Sequence, residues 1–161
     1  MHRVEEAAYF ASTLQAKTLV PSAGCVLDAH VGAGANVDAL KLRRIRNYEA
    51  GRVGTAASET IPLGRAKGVG TVLSVFVGSV AINAGNATVT VDIKKNGTTI
   101  LSAVVTLDSG NTAYVFEEGT LSGTPTLAIG DFLTAVVVAT IGTGTLATGL
   151  CISVSTHEDP Q

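Results

Sequence analysis

The chain contains no tryptophan, and only seven of its residues are Phe or Tyr. Sugar-binding surfaces normally stack their ligands on exposed aromatic rings, so this scarcity favours a scaffold over a carbohydrate module. Charge is scarce too: Asp, Glu, Lys and Arg make up 15% of the residues, against 46% apolar. Few Lys and Glu beside many Ala, Val and Thr suit packed sheets better than a helical bundle. Little polar surface is left for an isolated monomer. That points to an apolar interface shared between subunits, with a small-residue-rich monomer as the alternative. Cysteine is limited to Cys25 and Cys151, with no Cys-x-x-Cys or Cys/His ligand spacing. One long-range disulfide or two separate thiols both satisfy that count. No apolar stretch approaches the ~20 residues that span a bilayer. The opening MHRVEEAAYF has no uninterrupted apolar segment behind Arg3, so no signal peptide is expected. The expectation is a soluble protein made in a cytoplasm, with no membrane partner.

What is present is β pattern. Residues 87–107 read ATVTVDIKKNGTTILSAVVTL, two alternating runs around an Asn-Gly. Ala87, Val89, Val91 and Ile93 point one way, and Thr88, Thr90, Asp92 and Lys94 the other, the period of a strand with one buried face. Leu101, Ala103, Val105 and Leu107 form the next apolar row. The two rows must share a face. A two-residue loop would set Val91 against Ser102, the wrong parity. A three-residue loop, Lys95-Asn96-Gly97, pairs Val91 with Leu101 and predicts a type I turn closed by a glycine bulge. Asn96 and Gly97 are therefore the turn-defining residues, with Gly97 left-handed.

Elsewhere, residues 4–16 are rich in helix formers and predict a short N-terminal helix or arm. Residues 25–31 predict a first strand. Residues 37–48 alternate imperfectly, with Leu40 and Leu42 on one side and Lys41, Arg43 and Ile45 on the other, as in a charged edge strand. Residues 59–66 carry Pro62, which confines them to an edge or an irregular strand. Residues 71–82 are apolar enough to be buried on both sides, between sheets or at a subunit contact. Residues 113–116 predict a short strand with Tyr114 and Phe116 on one face. Leu133, Ala135, Val137, Ala139 and Ile141 align, as do Leu150, Ile152 and Val154, and residues 157–161 form a polar tail. Strands at this spacing, separated by Gly, Asn and Asp turns, predict an all-β fold: an antiparallel β-sandwich or jelly roll with an N-terminal arm or short helix.

Net charge is −2, but residues 1–67 carry nine Lys/Arg and six Asp/Glu while residues 68–161 carry two and seven. The division predicted is 1–67, an arm with outer strands, and 68–161, a sandwich body. The basic residues concentrate at Lys41, Arg43, Arg44 and Arg46. That strip is a solvated edge, a docking patch for an acidic protein surface or, least favoured, a nucleic-acid contact.

No residue cluster announces catalysis, a metal or a cofactor. His2, His30 and His157 are scattered, and no Gly-x-Ser-x-Gly occurs. Glu117 and Glu118 are neighbours, so a strand would point them to opposite sides. Asp108, Asn111 and Asp131 sit in turns and could offer oxygens to calcium, but such residues usually bond their own backbone. Residues 64–70, GRAKGVG, superficially resemble a phosphate loop. They lack the Gly-Lys-Ser/Thr ending and the helix behind it, and read as a connection between strands.

Three blocks carry a family resemblance: Gly70-Thr71-Val72-Leu73, Ala87 to Gly97, and Gly130-Asp131-Phe132-Leu133. With TVTVDIKKNGTTIL, LDSGNTA and a Gly-Asp before an apolar strand, residues 68–156 resemble a β-sandwich domain of tailed-bacteriophage virion proteins, in head-decoration and fibre modules. The resemblance implies a non-enzymatic capsid decoration or cement protein on the outer head surface. It implies the major capsid protein and further copies of the chain, as a homotrimer, for partners. It gives residues 1–67 the lattice contacts, with Lys41, Arg43, Arg44 and Arg46 as the candidates. The alternative is a phage fibre or carbohydrate- or receptor-binding module.

Overall fold

The computed structural model describes residues 44–159, all within a unit spanning Asp38–Gln161. The expected helix at 4–16, the strand at 25–31, Cys25, His2, His30, Lys41 and Arg43 lie outside the described residues.

Ten strands follow one another, with no helix among the described residues. They are β1 (Arg44–Gly51), β2 (Glu59–Arg65), β3 (Gly70–Ala81), β4 (Thr88–Lys95) and β5 (Thr98–Thr99). Then come β6 (Val105–Leu107), β7 (Phe116–Glu118), β8 (Thr126–Leu127), β9 (Phe132–Thr140) and β10 (Thr148–Glu158). The first sheet runs β1-β10-β3-β7, with β8 also on β3; the second runs β2-β9-β4-β5, with β6 also on β4. Every pairing is antiparallel. The fold is an all-β, two-sheet antiparallel sandwich.

The inner faces are the alternating rows of the sequence. Val89, Val91 and Ile93 of β4 and Leu133, Ala135 and Val137 of β9 meet Val72, Val75 and Val77 of β3 and Leu150, Ile152 and Val154 of β10 in one buried cluster. Each buried Val, Leu or Ile among them contributes about 1.5–3 kcal/mol by leaving water. Pro62 lies on β2, an edge strand whose register with β9 shifts between Pro62 and Gly64. Strand β3 is buried on one face only: Leu73 and Val80 are exposed on the other. Tyr114 falls in a turn before β7, and Ile141 is exposed beyond β9. Residues 157 and 158 continue β10 and are no tail.

The hairpin corrects the parity argument. Lys95 pairs with Thr98 and Lys94 with Thr99, so the loop has two residues. Asn96 (φ 49°) and Gly97 (φ 85°) both take positive φ, the pattern of a type I′ turn. Ile93 therefore faces Ile100, whose amide donates to the Ile93 carbonyl at 2.9 Å. Pairing then breaks and resumes further along the chain, with Val91 opposite Val105 and Val89 opposite Leu107. The odd offset that parity requires lies in residues 100–104, not in the turn. Leu101 remains buried, while Ala103 is exposed.

Strands β1 and β2 are the edge strands of the two sheets, each paired along its length, so residues 44–67 are part of the sandwich.

Candidate functional site

The least expected side chain is Glu158, a carboxylate with no exposure at the end of β10. Burying it would be costly without partners. Five groups surround it. The Tyr48 hydroxyl donates to Oε1 at 2.5 Å and the Thr156 hydroxyl at 2.9 Å. The amides of Lys67 and Gly68 donate to Oε2 at 3.0 and 2.9 Å. Arg46 Nε lies 3.3 Å from Oε2. Burial pushes the Glu158 pKa up, but the hydroxyls and the two amides outweigh it and hold the carboxyl below its ordinary value. Burial, together with the hydrogen bond to this carboxylate, pushes Tyr48 up to about 12.

The glycine-rich connection at 64–70 is thus an anion cradle, filled by the chain's own carboxylate. Gly68 and Gly70 permit the approach: a Cβ on either would collide with the backbone oxygen of Asp159 or His157. Arg46 is committed to this internal network. Arg44, whose side chain is exposed, is the described member of the basic strip left for an outside contact.

A second carboxylate closes the neighbouring turn. Asp131 accepts from the Ala128 amide at 2.8 Å and the Asn96 side-chain amide at 2.7 Å, and both hold its pKa low. Asn96 in return accepts from the Phe132 amide at 2.8 Å, which docks the hairpin tip onto β9. Asp108 accepts from the Gly110 amide and Asn111 from the Asp108 amide. These three calcium candidates spend oxygens on backbone and neighbouring amides. Glu117 is half-buried and accepts from Asn111, while Glu118 is exposed. Among the described residues, no group of three or more His, Cys, Asp or Glu is arranged to hold a metal.

The open feature is the outer face of the first sheet. Across its four strands one register level reads Gly51–Cys151–Gly78–Phe116. The next reads Glu49–Ser153–Phe76–Glu118, followed by Asn47–Ser155–Ser74. Gly, Cys and Gly on adjacent strands leave a trough. Depressions of 110, 190 and 370 Å³ adjoin along it, and Phe116 lines all three. Phe116 leans over Gly78, where an added Cβ would lie 3.1 Å from the ring, and remains half exposed. Tyr114, 77% exposed at φ 63°, is held by the hydrogen bond its backbone N–H donates to the Ser79 carbonyl. Composition shows few aromatics. It does not show that Phe76, Tyr114 and Phe116 gather on one face.

No protein-family model matches the sequence, and no curated protein matches it.

Proposed function

We propose that the chain is a non-enzymatic virion structural protein, a capsid decoration protein built on a jelly roll and acting as a homotrimer on the phage head. The observation that carries this reading is the strand order. Strands β1 to β4 fall alternately in the two sheets, and so do β9 and β10, giving β1-β10-β3-β7 against β2-β9-β4-β5. This order supports the reading as a double-sheet jelly roll, an architecture used by viral capsid and lectin domains. The likeness of residues 68–156 to phage virion sandwiches supports the choice of virion. Exposed Ile45, Leu73 and Val138 supply apolar surface for subunit contacts. Binding across capsomer joints would stabilise the shell by linkage, because the bound protein favours the assembled state.

Electron cryomicroscopy of phage particles containing the chain tests the reading. The expected result is a trimeric density on the outer head surface. Density confined to a tail fibre, or exclusion of the chain from purified particles, overturns it. Reversing Lys41, Arg43 and Arg44 to Glu should lower occupancy, with Arg46 left intact to preserve Glu158. Light scattering of the free protein checks the trimer.

A further inference from the structure

We propose that the trough on the outer face of the first sheet binds a neutral glycan chain. This goes beyond the virion reading and does not rest on it, since the trough belongs to a single chain. A sugar ring has an apolar face of C–H groups and a rim of hydroxyls. It needs an exposed aromatic beside hydrogen-bonding side chains, in a depression open enough for a polymer. The trough combines these. Phe76 and Phe116 share their depression with Glu49 and Ser153. Tyr114 extends the aromatic side past Val80 and Gly149. Asn47 and Ser155, 2.9 Å apart, continue the polar side.

Charge and backbone pairing narrow the occupant. The three register levels carry Glu49 and Glu118 and no Lys or Arg. Phosphate, sulfate or uronate chains would meet carboxylates there without a compensating cation. An extended peptide adding a strand needs an open sheet edge. The trough instead lies over β10 and β3, interior strands paired on both sides. Its floor is small because a larger side chain at residue 51, 78 or 151 would fill the space.

Native affinity electrophoresis of the full chain, in gels containing dextran, galactomannan, xylan or mixed-linkage β-glucan, tests the site, with alginate as the anionic control. Retardation is expected in at least one neutral gel and not in alginate alone. Phe116→Ala should weaken that retardation roughly tenfold, about the loss of one stacking contact. Alkylating Cys151 with N-ethylmaleimide in the folded Cys25→Ser chain should abolish it, which keeps the test decisive if the Phe116 variant misfolds. The bound polysaccharide should also slow that alkylation, read by peptide mapping. Unchanged mobility in every neutral gel, retardation by alginate alone, or retardation insensitive to both modifications overturns the proposal. So does alkylation that breaks up an oligomer without affecting mobility in the neutral gels, which would make the trough a contact between copies.

Discussion

The two ends of the sandwich do the same job with different chemistry. At the end where β10 finishes and β9 begins, carboxylates satisfy the loops: Glu158 takes the amides of Lys67 and Gly68, and Asp131 that of Ala128. At the opposite end, side-chain amides do so. Buried Asn83 donates to the Leu107 carbonyl at 2.8 Å and accepts from the Ala147 amide at 2.9 Å. Asn86 accepts from the Thr143 amide at 2.7 Å. An amide offers both a donor and an acceptor and never titrates, whereas an ionised carboxylate only accepts and gains strength from its charge. The loops held by Glu158 and Asp131 should therefore respond to pH, and those held by Asn83 and Asn86 should not.

The largest effect expected is from Glu158→Ala. It leaves Arg46 and the Lys67 and Gly68 amides without their acceptor, and Tyr48 and Thr156 with only 3.3 Å bonds to the Arg65 and Arg46 carbonyls, and should cost about 3–5 kcal/mol in urea denaturation. Asn83→Ala orphans one buried donor and one buried acceptor and should cost about 2–3 kcal/mol by the same measurement. A larger loss for Asn83 would reverse the ranking of the two ends.

Acidity separates the ends without mutation. The folded pKa of Glu158 lies below its ordinary value, so its contribution is full above the ordinary carboxylate range of about 4.3. It is lost as pH falls through the folded value. Tyr48 has the opposite sign: its contribution is full below about 10 and lost as pH rises through about 12. Amide exchange protection, corrected for intrinsic rates, should fall first around Lys67 and Gly68 under acid, with Ala147 and Thr143 unaffected. Tyr48→Phe should remove the alkaline loss, seen as a flatter stability profile between those values.

The smallest effect concerns the hairpin tip. Nothing lies within 4 Å of a Cβ added at Gly97, so any cost there is conformational. Gly97→Val should destabilise by roughly 1–2 kcal/mol, and Gly97→Asn by less. A neutral Gly97→Val would contradict the type I′ geometry.

Much of the fold is legible in the sequence because a period of two is local. The rows at 87–93, 133–137 and 150–154 need only their own residues to declare a face. The turn class escapes a parity argument because the compensation sits elsewhere: Ile100 and Leu101 are consecutive yet both buried, which no alternating template allows. The Glu158 cradle is hidden for a different reason. Its partners lie 90 and 110 positions away, and a Glu among His, Asp and Pro near the end of the chain looks like a solvated tail. The glycine-rich stretch at 64–70 reads as a plain connection between strands, and nothing in it shows that its amides hold an internal carboxylate. The trough requires the register of four strands before three glycine and cysteine positions can be seen as neighbours.

The pairing of Arg44 with Glu158 has a mechanical consequence. The polypeptide enters β1 and leaves β10 side by side, at the same end of the ladder. Tension applied through both flanks would pull along the inter-strand hydrogen bonds, which run perpendicular to antiparallel strands, and load them one pair at a time. Such a ladder yields by unzipping. Tension applied between the Arg44 flank and the far end of β10 would instead shear all eight pairs together and meet more resistance. The direction of tethering, more than the depth of the core, would set how much force this sandwich withstands, and optical-trap pulling along the two axes would measure the difference.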